Sequence, residues 1–129
     1  MAYTLLNGAD RVVEQGTSGR WHYRKWSSGL AECWGTHACT GMNLTTQGAG
    51  TYYSSTSATI NLPSGLFKTV DNAFAQASQV PYVSGHSGAI FVYNISGATT
   101  SKVDVQHRSF TSIQNGACDT FVQVWGKWK

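Results

Sequence analysis

Four histidines, three cysteines and six acidic residues are the groups through which metal or acid–base chemistry could run in this chain. Cys33, His37 and Cys39, with Cys118 as a fourth member, contain the ligand types of a zinc site. Their Cys-x3-His-x-Cys spacing matches no standard knuckle, and Cys118 lies far along the chain. Small buried cysteines beside a surface histidine account for the same residues, so no metal and no cofactor is expected. Glycan hydrolysis needs two carboxylates flanking a sugar. The only glutamates are Glu14 and Glu32, and Arg24 or Lys25 opposite them on neighbouring strands makes ordinary cross-strand ion pairs instead. A cysteine nucleophile paired with His37, His86 or His107 has no nucleophile elbow to sit on. Ser87, in Gly85-His86-Ser87-Gly88, misses the Gly-x-Ser-x-Gly register. No catalytic residue is expected, and the protein is read as a non-enzyme.

The elements that must position these residues are strands. Arg20 to Trp26 alternates, with Trp21, Tyr23 and Lys25 on one side and His22, Arg24 and Trp26 on the other. Ser27-Ser28-Gly29 turns the chain into a return arm from Leu30 to Gly35. Asp10 to Gln15 reads as a first strand, Gly16 to Gly19 as a turn, and Thr36 to Gly50 as loop or irregular strand. Thr51 to Ser57 and Ala58 to Leu62 favour strand. Ala73 to Val80 is rich in alanine but has a period of two and too few residues for a dependable helix. Ala89 to Ser96, apolar on both faces, is expected to be a central strand. Lys102 to Phe110 buries Val103 and Val105, Asn115-Gly116 is a turn signal, and Thr120 to Trp128 closes the chain. About eight to ten short strands without a helix predict an all-β, antiparallel β-sandwich or related barrel. One domain is expected over residues 10–129, with 1–9 as a leading segment or the end of a preceding shaft.

Of the 129 residues, 41% are apolar and only 12% charged, and the net charge is +3. The basic residues are scattered rather than striped, so nucleic acid is not an expected partner. No apolar run is long enough for a membrane helix, and no membrane insertion is expected. The first residues lack the basic and apolar regions of an export signal. An odd cysteine count favours free thiols, although Cys33 and Cys39 are close in sequence.

Five tryptophans, six tyrosines and five phenylalanines exceed what so little charge usually accompanies, so some rings are expected at the surface. Alternation leads us to expect Trp26 and Trp34 in packing. Trp21 and Tyr23 then remain for an interface or ligand.

The stretch VVEQGTSGRWHYRKWSSGLAECWG, Val12 to Gly35, resembles the opening of a C-terminal β domain of tailed-bacteriophage and prophage tail fibre, baseplate and receptor-binding proteins. Ile60-Asn-Leu-Pro63 followed by Phe67, and the ending Val122-Gln-Val-Trp-Gly-Lys-Trp-Lys129, are similar to later landmarks of that family. The resemblance implies a jelly-roll-like sandwich forming a homotrimer at a fibre tip. It also implies a virion location after assembly in the host cytoplasm, contact with other tail proteins, and attachment to a host cell-surface glycan or protein receptor. Residues 36–57 and 78–88, which match no landmark, are the loops expected to carry specificity, with Tyr52, Tyr53 and Tyr82 as the sugar-facing rings of the site so implied. Two alternatives stay open: a purely structural tip that assembles the trimer, and a glycan depolymerase fragment.

Overall fold

Period-two alternation puts one set of side chains on each face of a strand, and two such sheets bury their apolar sets against each other. A computed structural model describes residues 9–78 and 90–129 in this arrangement. The ten strands among them are β1 Val12–Ser18, β2 Trp21–Trp26, β3 Leu30–Leu44, β4 Thr46–Gly48, β5 Thr51–Tyr53, β6 Ala58–Asn61, β7 Thr69–Ser78, β8 Ile90–Ala98, β9 Lys102–Ser109 and β10 Ile113–Lys127. The described residues contain no helix. The first sheet has the order β1-β2-β3-β10-β7. In the second, β9 pairs with β5 and β6 along one side and with β8 along the other, and β4 extends beyond β5. All these pairings are antiparallel.

The core lies between the sheets. Ala31, Cys33, Val122 and Val124 come from the first and Ile60, Val103 and Val105 from the second. Leu62, Leu66 and Phe67, on the crossing between β6 and β7, fill one end. Between the layers, the buried groups His107 Nε2 and Thr120 Oγ1 lie 2.8 Å apart.

Several local expectations change. The Asn115-Gly116 pair does not turn the chain but lies inside β10, where the register against β3 shifts on both sides of Gly116. Asn115 takes φ 53° there and its N–H donates to Asn43 Oδ1 at 2.9 Å, so the turn chemistry is spent on a β-bulge. Residues 36–44, read as loop or irregular strand, continue β3 as the partner of that long strand, and 46–48 and 51–53 form the β4–β5 hairpin. Residues 36–57 are thus mostly sheet. The first turn falls at Gly19-Arg20, after Gly16 has joined β1. The apolar run at β8 is not central: among the described residues β9 is its only paired strand. The alanine-rich segment is strand as far as Ser78, where the described residues stop, with Ala73, Ala75 and Ala77 packed on the core and Phe74 outside.

The tryptophans exchange roles relative to expectation. Trp21 is 5% exposed, and its indole N–H donates to Asn61 O at 2.8 Å. Trp26 and Trp34 are half-buried on the outer face. The reason is parity. Trp34 shares its face with Glu32, and Trp26 shares its own with Arg24, so burying those two rings would also bury two charges. The small residues Ala31, Cys33 and Gly35 take the interior instead. Trp21→Phe should therefore cost about 2 kcal/mol in urea unfolding, from lost volume and an orphaned carbonyl. Trp34→Phe should stay within about 0.5 kcal/mol, as surface changes do.

Candidate functional site

The outer face of the first sheet gathers the rings that the core leaves out. Register sets one row across five strands: Thr17, His22, Trp34, Gln123 and Phe74. The next row holds Gln15, Arg24, Glu32, Trp125 and Asn72. A third, shorter row joins Thr36, Phe121 and Gln76. Trp34 is the centre. The His22 ring stacks beside it at 5.7 Å with a 19° interplanar angle, and the Arg24 guanidinium carbon sits 5.0 Å from its ring centroid. Arg24 and Glu32 are the only acidic or strongly basic residues of the three rows, and they pair with each other at 3.6 Å. What remains is aromatic surface framed by primary amides and hydroxyls.

Two shallow depressions meet at Trp34 and Phe121. One, of about 390 Å³, adds Arg20, His22, Gly35 and Thr36. The other, of about 280 Å³, adds Arg24, Glu32 and Gln123. Phe74 extends the platform at the β7 margin, 46% exposed. Flat rings offer C–H stacking surfaces, while glutamine and asparagine amides donate and accept on adjacent sites. That combination takes up a polyhydroxylated ligand without requiring it to carry charge.

The residues singled out from the sequence are scattered by the fold. Trp21 faces the core and presents no free ring. Tyr23 lies at the margin of the inner face, where its hydroxyl donates to Glu14 Oε2 at 2.9 Å. That bond, with Lys25 Nζ at 3.3 Å from Glu14 Oε1, holds the Glu14 carboxyl below its usual range, and the same bond raises Tyr23. Tyr52 and Tyr53, being adjacent in β5, point to opposite faces: Tyr52 packs on the core, and Tyr53 takes the outer face of the second sheet. There the Arg108 guanidinium carbon lies 4.8 Å from the Tyr53 ring and 3.8 Å from Tyr93, while Nη1 donates to Thr51 Oγ1. Tyr82, like His86 and Ser87, lies outside the described residues.

Register also separates the two glutamates. Glu14 pairs with Lys25 and Glu32 with Arg24, and since Arg24 and Lys25 are neighbours on β2 the carboxylates project from opposite faces. The pair invoked for glycan hydrolysis is not assembled, and the cross-strand ion pairs are present in its place. The zinc set fails similarly. Cys33 and Cys39 lie on one continuous strand, about 20 Å apart at roughly 3.3 Å per residue. That distance also excludes a disulfide between them. The His37 ring lies tilted against Trp21 with centroids 4.2 Å apart, and among the described residues no three metal-binding groups converge.

Phe121, Gln123, Trp125 and Phe74 were not singled out beforehand, and Trp34 was assigned to packing. Their shared parity on β3, β10 and β7 was readable, but that these three strands are neighbours was not. The chain matches no protein-family model, no curated protein and no solved structure.

Proposed function

We propose that this domain is a non-enzymatic attachment module that binds uncharged cell-surface saccharide on the outer face of its first sheet. The observation that carries the reading is the Trp34 platform: half-exposed rings, amide neighbours and one internally neutralised ion pair, with Arg20 as a further cation at its edge. The setting comes from the resemblance of residues 12–35 to terminal domains of phage tail proteins, and it includes the jelly-roll-like class, the homotrimer and the virion location. Three copies of a shallow site on one fibre tip would turn weak single contacts into avidity.

A glycan array followed by calorimetry with the best neutral oligosaccharide tests this. Trp34→Ala should weaken binding by about tenfold or more, the worth of one aromatic stacking contact. Phe121→Ala should weaken it to a smaller extent, and Tyr53→Ala should leave it unchanged. Binding that survives Trp34→Ala would move the site elsewhere.

A second reading, the purely structural tip, has an observation of its own. Val12 and Val13 on β1 and Phe74 on β7 are exposed at the two margins of the same sheet, as subunit contacts would require. Light scattering distinguishes the roles. If the platform is a subunit contact, Trp34→Ala dissociates the oligomer. If it is a ligand face, the same change leaves the mass intact.

A further inference from the structure

Cys39 and Cys118 stand directly opposite each other on β3 and β10, the two longest strands of the fold. Opposed residues of an antiparallel pair have Cα atoms about 4.5–5.5 Å apart, inside the roughly 4.4–6.8 Å that a disulfide spans. Both side chains are buried on the inner face, 6% and 4% exposed. Cys118 Sγ lies 3.6 Å from Thr120 Oγ1, and Cys39 Sγ donates to His37 O at 4.0 Å. Cys33 has no such partner, for Val124 and Tyr23 flank it on the neighbouring strands. All three thiols are free in this structure.

We infer that Cys39 and Cys118 form a redox latch, a cross-strand disulfide made when the domain passes from a reducing to an oxidising medium. A low-molecular-weight disulfide such as oxidised glutathione is the oxidant. One cysteine thiolate attacks it, forming a mixed disulfide and expelling the first glutathione thiolate. The second cysteine thiolate attacks the protein-borne sulfur and expels the other. Two protein thiols are oxidised, one glutathione disulfide is reduced to two thiols, and the two cysteine protons pass to the departing thiolates. The ladder is already broken beside Cys118 by the bulge at Gly116, which gives local opening a place to start. Burial pushes the Cys118 thiol up to about 11 and raises Cys39 as well, so closure waits on that opening and is slow at neutral pH.

The full chain is incubated with oxidised glutathione, denatured, and its thiols counted and mapped by peptide mass. The expected result is loss of two thiols, a peptide linking Cys39 to Cys118, and a free Cys33. Closing a loop of about 80 residues should raise Tm on the order of 10 °C, reversibly with a dithiol reductant. Cys33→Ser should give the same link, and Cys118→Ala should abolish it. Three persistent thiols, glutathione left on Cys39 or Cys118 without closure, or a link through Cys33 would each overturn the assignment.

Discussion

Replacing Gly126 with alanine should cost more than about 3 kcal/mol, a large part of what a domain of this size has to lose. A Cβ built at Gly126 lies 2.0 Å from Thr69 O and 2.9 Å from Phe67 Cδ1. The first is backbone and the second belongs to a buried ring, so neither can swing aside. The cause is local topology. The chain entering β7 crosses the end of β10, where Lys68 N–H donates to Lys127 O at 2.7 Å and the β10–β7 register slips between Trp125 and Gly126. Gly35→Ala should behave alike, because its Cβ would fall 2.3 Å from Arg20 O, in the turn that follows β1. Gly97→Ala is the control. There the new atom meets Asp104 Oδ2 at an ordinary 3.6 Å, and the change should stay within about 0.5 kcal/mol. Urea midpoints of the three variants check the ranking, and a Gly126→Ala protein as stable as Gly97→Ala would disprove the crossing.

Acidification from pH 7 to pH 4 should remove about 3 kcal/mol of stability through one residue, His107. Burial between the sheets depresses its pKa from 6.5 to about 4. The unfolded chain therefore binds a proton on this imidazole at a pH where the folded chain does not. Stability is full above the unfolded value of 6.5, falls as the pH drops, and stops falling on this account once the folded value near 4 is passed. His37, lowered by its burial and by the charge of Arg20, adds to the loss in the same direction. The lowered carboxyl groups of Asp10, Glu14 and Asp104 begin to act only at the acid end of this window, where unfolded carboxylates take up protons, and their exposure keeps their part small. His107→Gln, which can still hydrogen-bond toward Thr120, should flatten the profile between pH 6.5 and pH 4. Chemical denaturation at the two pH values, wild type against variant, measures it. An unchanged slope in the variant would place the acid sensitivity elsewhere.

Both effects depend on contacts between segments far apart in sequence, and that is where reading from the chain alone ran short. The strand read at 73–80, which β7 contains as far as Ser78, was legible because Ala73, Ala75 and Ala77 alternate with Phe74 and Gln76, and a two-residue period needs no knowledge of neighbours. The hairpin around Ser27-Ser28-Gly29 was legible for the same reason. Its glycine takes φ 103°, and the ion pairs of Arg24 with Glu32 and of Lys25 with Glu14 follow from strand register. Asn115-Gly116 was misleading because one dihedral preference serves both a turn and a bulge. Only the partner strand β3, running on to Leu44, decides between them. The tryptophan faces could have been assigned from Glu32 and Arg24, whose charge excludes their parity from the core.

Alternation and turn chemistry thus determined, before any coordinates, that the chain is antiparallel sheet with a charge-poor, ring-rich surface. These are properties of residues next to one another, and local sterics and burial suffice to set them. Which strands became neighbours was decided by tertiary structure alone. It brought β10 between β3 and β7, set Trp34, Phe121, Trp125 and Phe74 on one face, and sent Glu14 and Glu32 to opposite ones. It also placed Cys39 opposite Cys118. Pairing across long loops depends on the packing of the whole core, and no short stretch of sequence contains that information.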